Sequence, residues 1–161
     1  MISICLSSIQ VDRMLAGNIR FVAAEDREDL AAMFAWVTRR LGDAEEPLLA
    51  ARGITMWEYI VLSHLARGPV PNQLTLAREV RHDKTRLIKL LDGLQRRGLI
   101  QRGPDPIDRR SHTVTITDAG RELQGDAQAA IREMEDDILN ELSAAERRAL
   151  LTALPKLYAA D

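Results

Sequence analysis

A mainly α fold carrying a single two-stranded β-hairpin is what this sequence predicts, and three observations predict it. From Asp26 onward, apolar residues recur at steps of three and four, the period of a helix face. Two short runs, Leu99–Arg102 and Thr113–Thr117, alternate instead and are rich in β-branched residues, as strands are. The composition, 46% apolar and 29% charged over 161 residues, is that of one globular domain. With only two each of Trp, Tyr and Phe, its core must be built from Leu, Ala, Ile and Val.

Residues 1–25 show no sustained period and form an N-terminal extension of open structure. Met14 lies inside it as a second candidate start, which leaves the translation of residues 1–13 open. Residues 26–161 read as one domain. Its first helix carries Leu30, Met33, Phe34, Val37 and Leu41 on one face, and Gly42 and Pro47 are expected to end it. A bridge, Pro47–Gly53, leads to the next helix. Thr55 followed by Glu58 is a capping box. It opens a helix with Trp57, Ile60, Val61 and Leu65 on its apolar face, stopped by Gly68 and Pro69. Pro71 and Asn72 start a brief helix bearing Leu74, Ala77 and Val80. Asp83 caps a longer one to about Arg97, with Leu87, Leu90, Leu91 and Leu94 in one narrow arc and Gly98 as C-cap.

The two strands follow, separated by the polar, proline-stiffened loop 103–112. A helix from Asp118 to about Asn140 places Leu123, Ala127, Ala130, Met134 and Ile138 in a stripe. The capping box Ser143/Glu146 opens the last helix, which Pro155 is expected to kink or fray. Short helix, tight turn, longer helix, hairpin is the order of a winged helix-turn-helix with a two-stranded β-wing. Residues 72–117 would be its DNA-binding lobe. The helices at 26–41 and 118–159 would serve dimerisation, because one lobe alone is not expected to cover both apolar stripes.

The net charge of −2 conceals an asymmetry. Residues 72–120 hold ten Lys/Arg against six acids, a balance of +4, while the rest of the chain stands at −6. A basic centre between acidic flanks is the footprint of a nucleic-acid-binding module. At 100° per residue, the leucine arc of the longer helix turns Thr85, Lys89 and Arg96 away from the core, with Arg86 at the flank. Lys84, Thr85, Arg86 and Lys89 lie near the helix N-terminus, where side chains reach base edges and phosphates in a major groove. Arg109 and Arg110, in the loop, are placed to reach an adjacent minor groove.

Asp105-Pro-Ile-Asp-Arg-Arg-Ser-His-Thr-Val-Thr-Ile-Thr-Asp-Ala-Gly120 closely resembles the wing signature of the MarR (multiple antibiotic resistance regulator) family, a D-x-R wing followed by a strand ending in L-T-x-x-G. Leu76-Ala77 and the run from Asp83 to Ile100 are similar to the family's recognition helix and first wing strand. The resemblance spans about Asp26 to Leu157. It implies a homodimeric regulator binding a pseudo-palindromic double-stranded DNA operator, most often as a repressor relieved by a small aromatic effector. It places Thr85, Arg86 and Lys89 in the DNA-reading stretch, makes Arg110 the wing-tip arginine, and gives Asp108 the role of orienting it. The sequence departs from the family at Arg81, where Gly is common, and at Arg86, which replaces a small hydroxyl residue.

Other functions find less support. His64, His82 and His112 have no ligand spacing, so neither a metal nor another cofactor is expected. The lone Cys5 has no neighbouring cation or helix N-terminus to lower its pKa, which disfavours a redox sensor, and one cysteine agrees with a reducing compartment. Trp36, Trp57 and Tyr59 could line an effector pocket, although aromatics at helical spacing more often pack in a core. There is no nucleophile–base pair and no glycine-rich phosphate loop, so the chain is not expected to be an enzyme. Apolar runs are too short for a membrane span and no secretory signal precedes the helices, giving a cytoplasmic expectation. The alternative from another class is a winged-helix protein-interaction module that does not bind DNA.

Overall fold

The computed structural model describes residues 28–104 and 112–158. The stretch 105–111, with Asp108, Arg109 and Arg110, lies outside the described residues, as do Cys5 and Met14. Along the chain run helices α1 (Leu30–Ala50), α2 (Met56–Arg67), α3 (Gln73–Glu79) and α4 (Lys84–Arg96), strands β1 (Ile100–Pro104) and β2 (His112–Ile116), and helices α5 (Asp118–Leu139) and α6 (Ala144–Tyr158). Two compact units are distinguished, one ending at Val37 and the other beginning at Thr38. No helix among the described residues is long and apolar enough to cross a membrane.

In the unit beginning at Thr38, left-handed residues end three helices. Gly53, Arg81 and Gly98 have φ of 66°, 51° and 71°. In each case the next residue's N–H reaches back to a carbonyl five positions earlier: Ile54 to Leu49 (3.1 Å), His82 to Ala77 (2.9 Å) and Leu99 to Leu94 (3.0 Å). This bonding satisfies carbonyls that a helix end would otherwise orphan. Gly adopts such a φ freely. Arg81 takes it at a steric cost of about 1 kcal/mol, so the turn between α3 and α4 keeps a left-handed residue without the usual glycine.

At the other ends stand the expected caps. Thr55 and Glu58 form the capping box of α2, Asn72 caps α3, Asp83 caps α4, and Ser143 and Glu146 exchange bonds at the start of α6. Two expectations are corrected. Helix α1 does not stop at Gly42 or Pro47 but runs through both to Ala50. Proline costs a helix one backbone bond and some strain. Burial of Leu49, 1% exposed, against α5 favours the continued helix and outweighs that local preference. Likewise α6 continues past Pro155 to Tyr158 instead of fraying there.

One core cluster joins Val61, Leu62 and Leu65 of α2 to Leu76 of α3, to Leu87, Leu91 and Leu94 of α4, and to Ile100 and Val114 of the strands. Burial of such a side chain stabilises by about 1.5–3 kcal/mol. A second cluster, Leu49, Ile54, Ala127 and Ile131, seats α5 on the end of α1. Leu123 packs against both clusters and Met134 against the second. Leu123, Ala127 and Met134 of the α5 stripe thus pack within the chain itself. Among the described residues, exposed large apolar side chains gather on α1 (Leu30, Phe34, Trp36 and Val37) and on α6 (Leu150, Leu151 and Leu157), with Trp57 of α2 and Leu74 of α3 besides.

The strands pair antiparallel, with Ile100 opposite Ile116 and Arg102 opposite Val114. Val70, in the link between α2 and α3, adds a bridge on the other edge of Val114, its N–H and carbonyl both bonded (3.0 and 2.9 Å). Thr117 leaves the strand to cap α5. Its hydroxyl donates to the Gly98 carbonyl (2.7 Å) and accepts from the Gly120 N–H (3.1 Å). A methyl on Gly120 would collide with the Leu99 carbonyl oxygen, so only glycine lets α5 start this close to β1. That contact gives the Thr-x-x-Gly spacing its physical reason.

Candidate nucleic-acid interface

Helix α4 divides cleanly into a core side and an open side. Leu87, Leu91 and Leu94 are fully buried, whereas Lys84, Thr85, Arg86 and Lys89 are all exposed. The Asp83 carboxylate accepts the Arg86 backbone N–H (3.0 Å), fixing the first turn from which these side chains project. The structure brings these four together at one end of one helix. Backbone N–H groups and the positive end of the helix dipole add to the attraction for an anion there.

The turn leading into α4 is braced from behind. The His82 ring stacks on Trp57 of α2, with centroids 4.1 Å apart and planes 25° off parallel. His64 of α2 meets Glu79 of α3 at 2.7 Å, and Arg97, at the far end of α4, pairs with Glu58 of α2 at 3.1 Å. Helix α4 is therefore carried on α2 at both ends. Trp57 and Tyr59 have different neighbours: Trp57 stacks on His82, while Tyr59 packs on the α1–α5 cluster. Tyr59 does border a cleft of about 430 Å³, together with His64, Arg67, Glu79 and Gln128. Trp36 is 69% exposed.

Sequence reasoning missed a link on the other side of α4. Arg102 of β1 donates from Nη2 to Asp92 and from Nε to the Gln95 side-chain oxygen. Asp92 and Gln95 stand three apart on one helix face, but nothing in the sequence names a strand arginine as their partner. Among the described residues no cluster of His, Cys, Asp or Glu is arranged to hold a metal ion.

The same arrangement of elements is found in known proteins. A model of the MarR family matches residues 52–111, from the end of α1 through the hairpin loop. A Thauera aromatica protein, named for transcriptional regulation of the hcr operon, is 30% identical over 114 residues, 71% of this chain and 69% of the relative. The apo crystal structure of MarR from E. coli superposes with a TM-score of 0.72 at 21% identity, over 82% of this chain and 98% of that one. A Mycobacterium tuberculosis MarR family protein in complex with DNA gives 0.70 at 24% identity, over 81% and 98%. In complex with salicylic acid the same protein gives 0.70 at 26% identity, over 83% and 98%.

Proposed function

This chain belongs to the MarR family of winged-helix transcriptional regulators, and from that premise we propose that it is a homodimeric repressor. It reads a pseudo-palindromic operator and is released by a small aromatic acid. The observation that carries this reading is the exposed set Lys84, Thr85, Arg86 and Lys89, presented by a helix whose opposite side is locked in the core. Thr85, Arg86 and Lys89 take the major groove, while Lys84 meets phosphate at the helix N-terminus. Arg109 and Arg110 take the minor groove beside it, with Asp108 holding the Arg110 guanidinium. The DNA complex of the M. tuberculosis relative supports the first part of this reading, and its salicylic acid complex supports the second.

Dimerisation uses the exposed apolar residues of α1 and α6 and places two copies of α4 about 34 Å apart, one turn of DNA. An effector in the Tyr59 cleft acts by preferring a dimer with the wrong spacing; a typical coupling of ~1–3 kcal/mol lowers DNA affinity roughly 5- to 150-fold. Selection of bound sequences from random DNA, followed by titration with salicylate and related acids, tests the proposal. A two-fold-related motif whose affinity falls on adding an acid is the expected result. Enrichment of no motif would favour a protein-docking module.

A further inference from the structure

We propose that Arg102 is a positioning residue for DNA reading: by gripping Asp92 and Gln95 from β1, it neutralises an acid on the reading face of α4 and fixes the angle at which the hairpin leaves that face. The inference rests on the DNA-binding reading above.

Thr85, Lys89, Asp92 and Arg96 follow one another at steps of four, three and four, so they form one stripe along α4. Three of them suit a polyanion and Asp92 does not. An unpaired carboxylate in that stripe would oppose a polyanion docked on it, over a screening length of about 10 Å. Arg102 covers this charge with a hydrogen-bonded pair, while its neighbouring donor is taken by Gln95. The Arg102 side chain is only 22% exposed against 50% for Asp92, so it lies beneath the acid and not out toward solvent.

The same arginine sits where the hairpin is tied down. Opposite it in register is Val114, whose other edge is bonded to Val70, just ahead of α3. Beyond Arg102 the strand continues only through Gly103 and Pro104 before the loop. One side chain therefore sets the base of the wing against the helix that it must accompany onto DNA. Two donors of its planar fork are committed to α4, which suits a brace better than a phosphate ligand.

Fluorescence anisotropy on the selected operator and on a scrambled duplex, repeated across salt concentrations, separates these roles. The full chain is compared with D92N, R102Q, R102K and the D92N/R102Q double variant. Each single variant is expected to weaken operator binding about five- to tenfold, and the double variant no further, because both changes break one interaction. The salt slope stays unchanged, and hydroxyl-radical protection beside the operator is lost while major-groove protection remains. Tighter binding by D92N would overturn the proposal. So would a salt slope reduced by about one in R102Q with R102K behaving as the parent, the mark of a direct phosphate contact. Additive losses would overturn it as well. Should R102Q fail to fold, D92N and R102K still carry the comparison. Failure of the unmodified chain to prefer its operator would instead defeat the DNA-binding reading itself.

Discussion

At the scale of single residues, the same charge does different work according to what holds it. Arg86 projects from a capped first turn into open solvent, whereas Arg102 is folded back on α4. Replacing Arg86 by Ala should cost about 1–3 kcal/mol on the operator and little on scrambled DNA, because a base contact carries sequence information. Arg110→Ala should weaken both duplexes alike and lower the salt slope by about one per subunit. Anisotropy on the two duplexes checks both, and equal losses for Arg86→Ala would remove it from the base-reading set. Gly120 makes a purely steric case. Gly120→Ala puts a methyl against the Leu99 carbonyl oxygen and 2.9 Å from Ile116, and backbone cannot swing aside as a side-chain tip can. A loss of about 1–3 kcal/mol in urea unfolding is expected; unchanged stability would mean that α5 shifts at no cost.

At the scale of elements, local signals were legible and tertiary ones were not. The caps at Thr55, Asn72, Asp83 and Ser143 are short-range chemistry, so the sequence marks where these helices begin. The strands fall within two residues of their alternating runs, and the shift at Thr117 follows from its second use as a helix cap. The end of α1 was missed because Gly42 and Pro47 are weighed locally, while Leu49 answers to a distant α5. The Val70 bridge and the Arg102 grip went unseen for the same reason: each joins single residues far apart in sequence. The α1–α5 packing also has a cost. Burial, with the Glu135 charge adding to it, raises the pKa of Glu45 above the usual carboxylate value. A raised acid pKa means that the folded chain binds the proton more tightly than the unfolded one. The stability tied to Glu45 is therefore complete below the unfolded pKa and is lost as pH rises through the folded one. Glu45→Gln should raise the Tm at pH 7, and the difference should shrink as pH falls toward 4.5. A thermal melt series with a constant difference would contradict this.

At the scale of the whole molecule, the apolar residues left open on α6 are the natural place to test assembly. Leu151 is 51% exposed and Leu157 64% exposed on one short helix. Leu151→Asp is expected to shift sedimentation toward monomer at micromolar concentration and to weaken operator binding steeply, because each half-site alone contributes only part of the contact. A parent chain that sediments as a folded monomer would contradict the dimer. Assembly matters here through sequence-specific DNA binding by the exposed face of α4. The most direct test of that binding is the affinity for the recovered operator and for a scrambled duplex, followed from about 50 to about 200 mM salt. Log affinity is expected to fall linearly with log salt on both, with a preference for the operator of at least about a thousandfold. Equal affinity for the two duplexes, or affinity indifferent to salt, would contradict it.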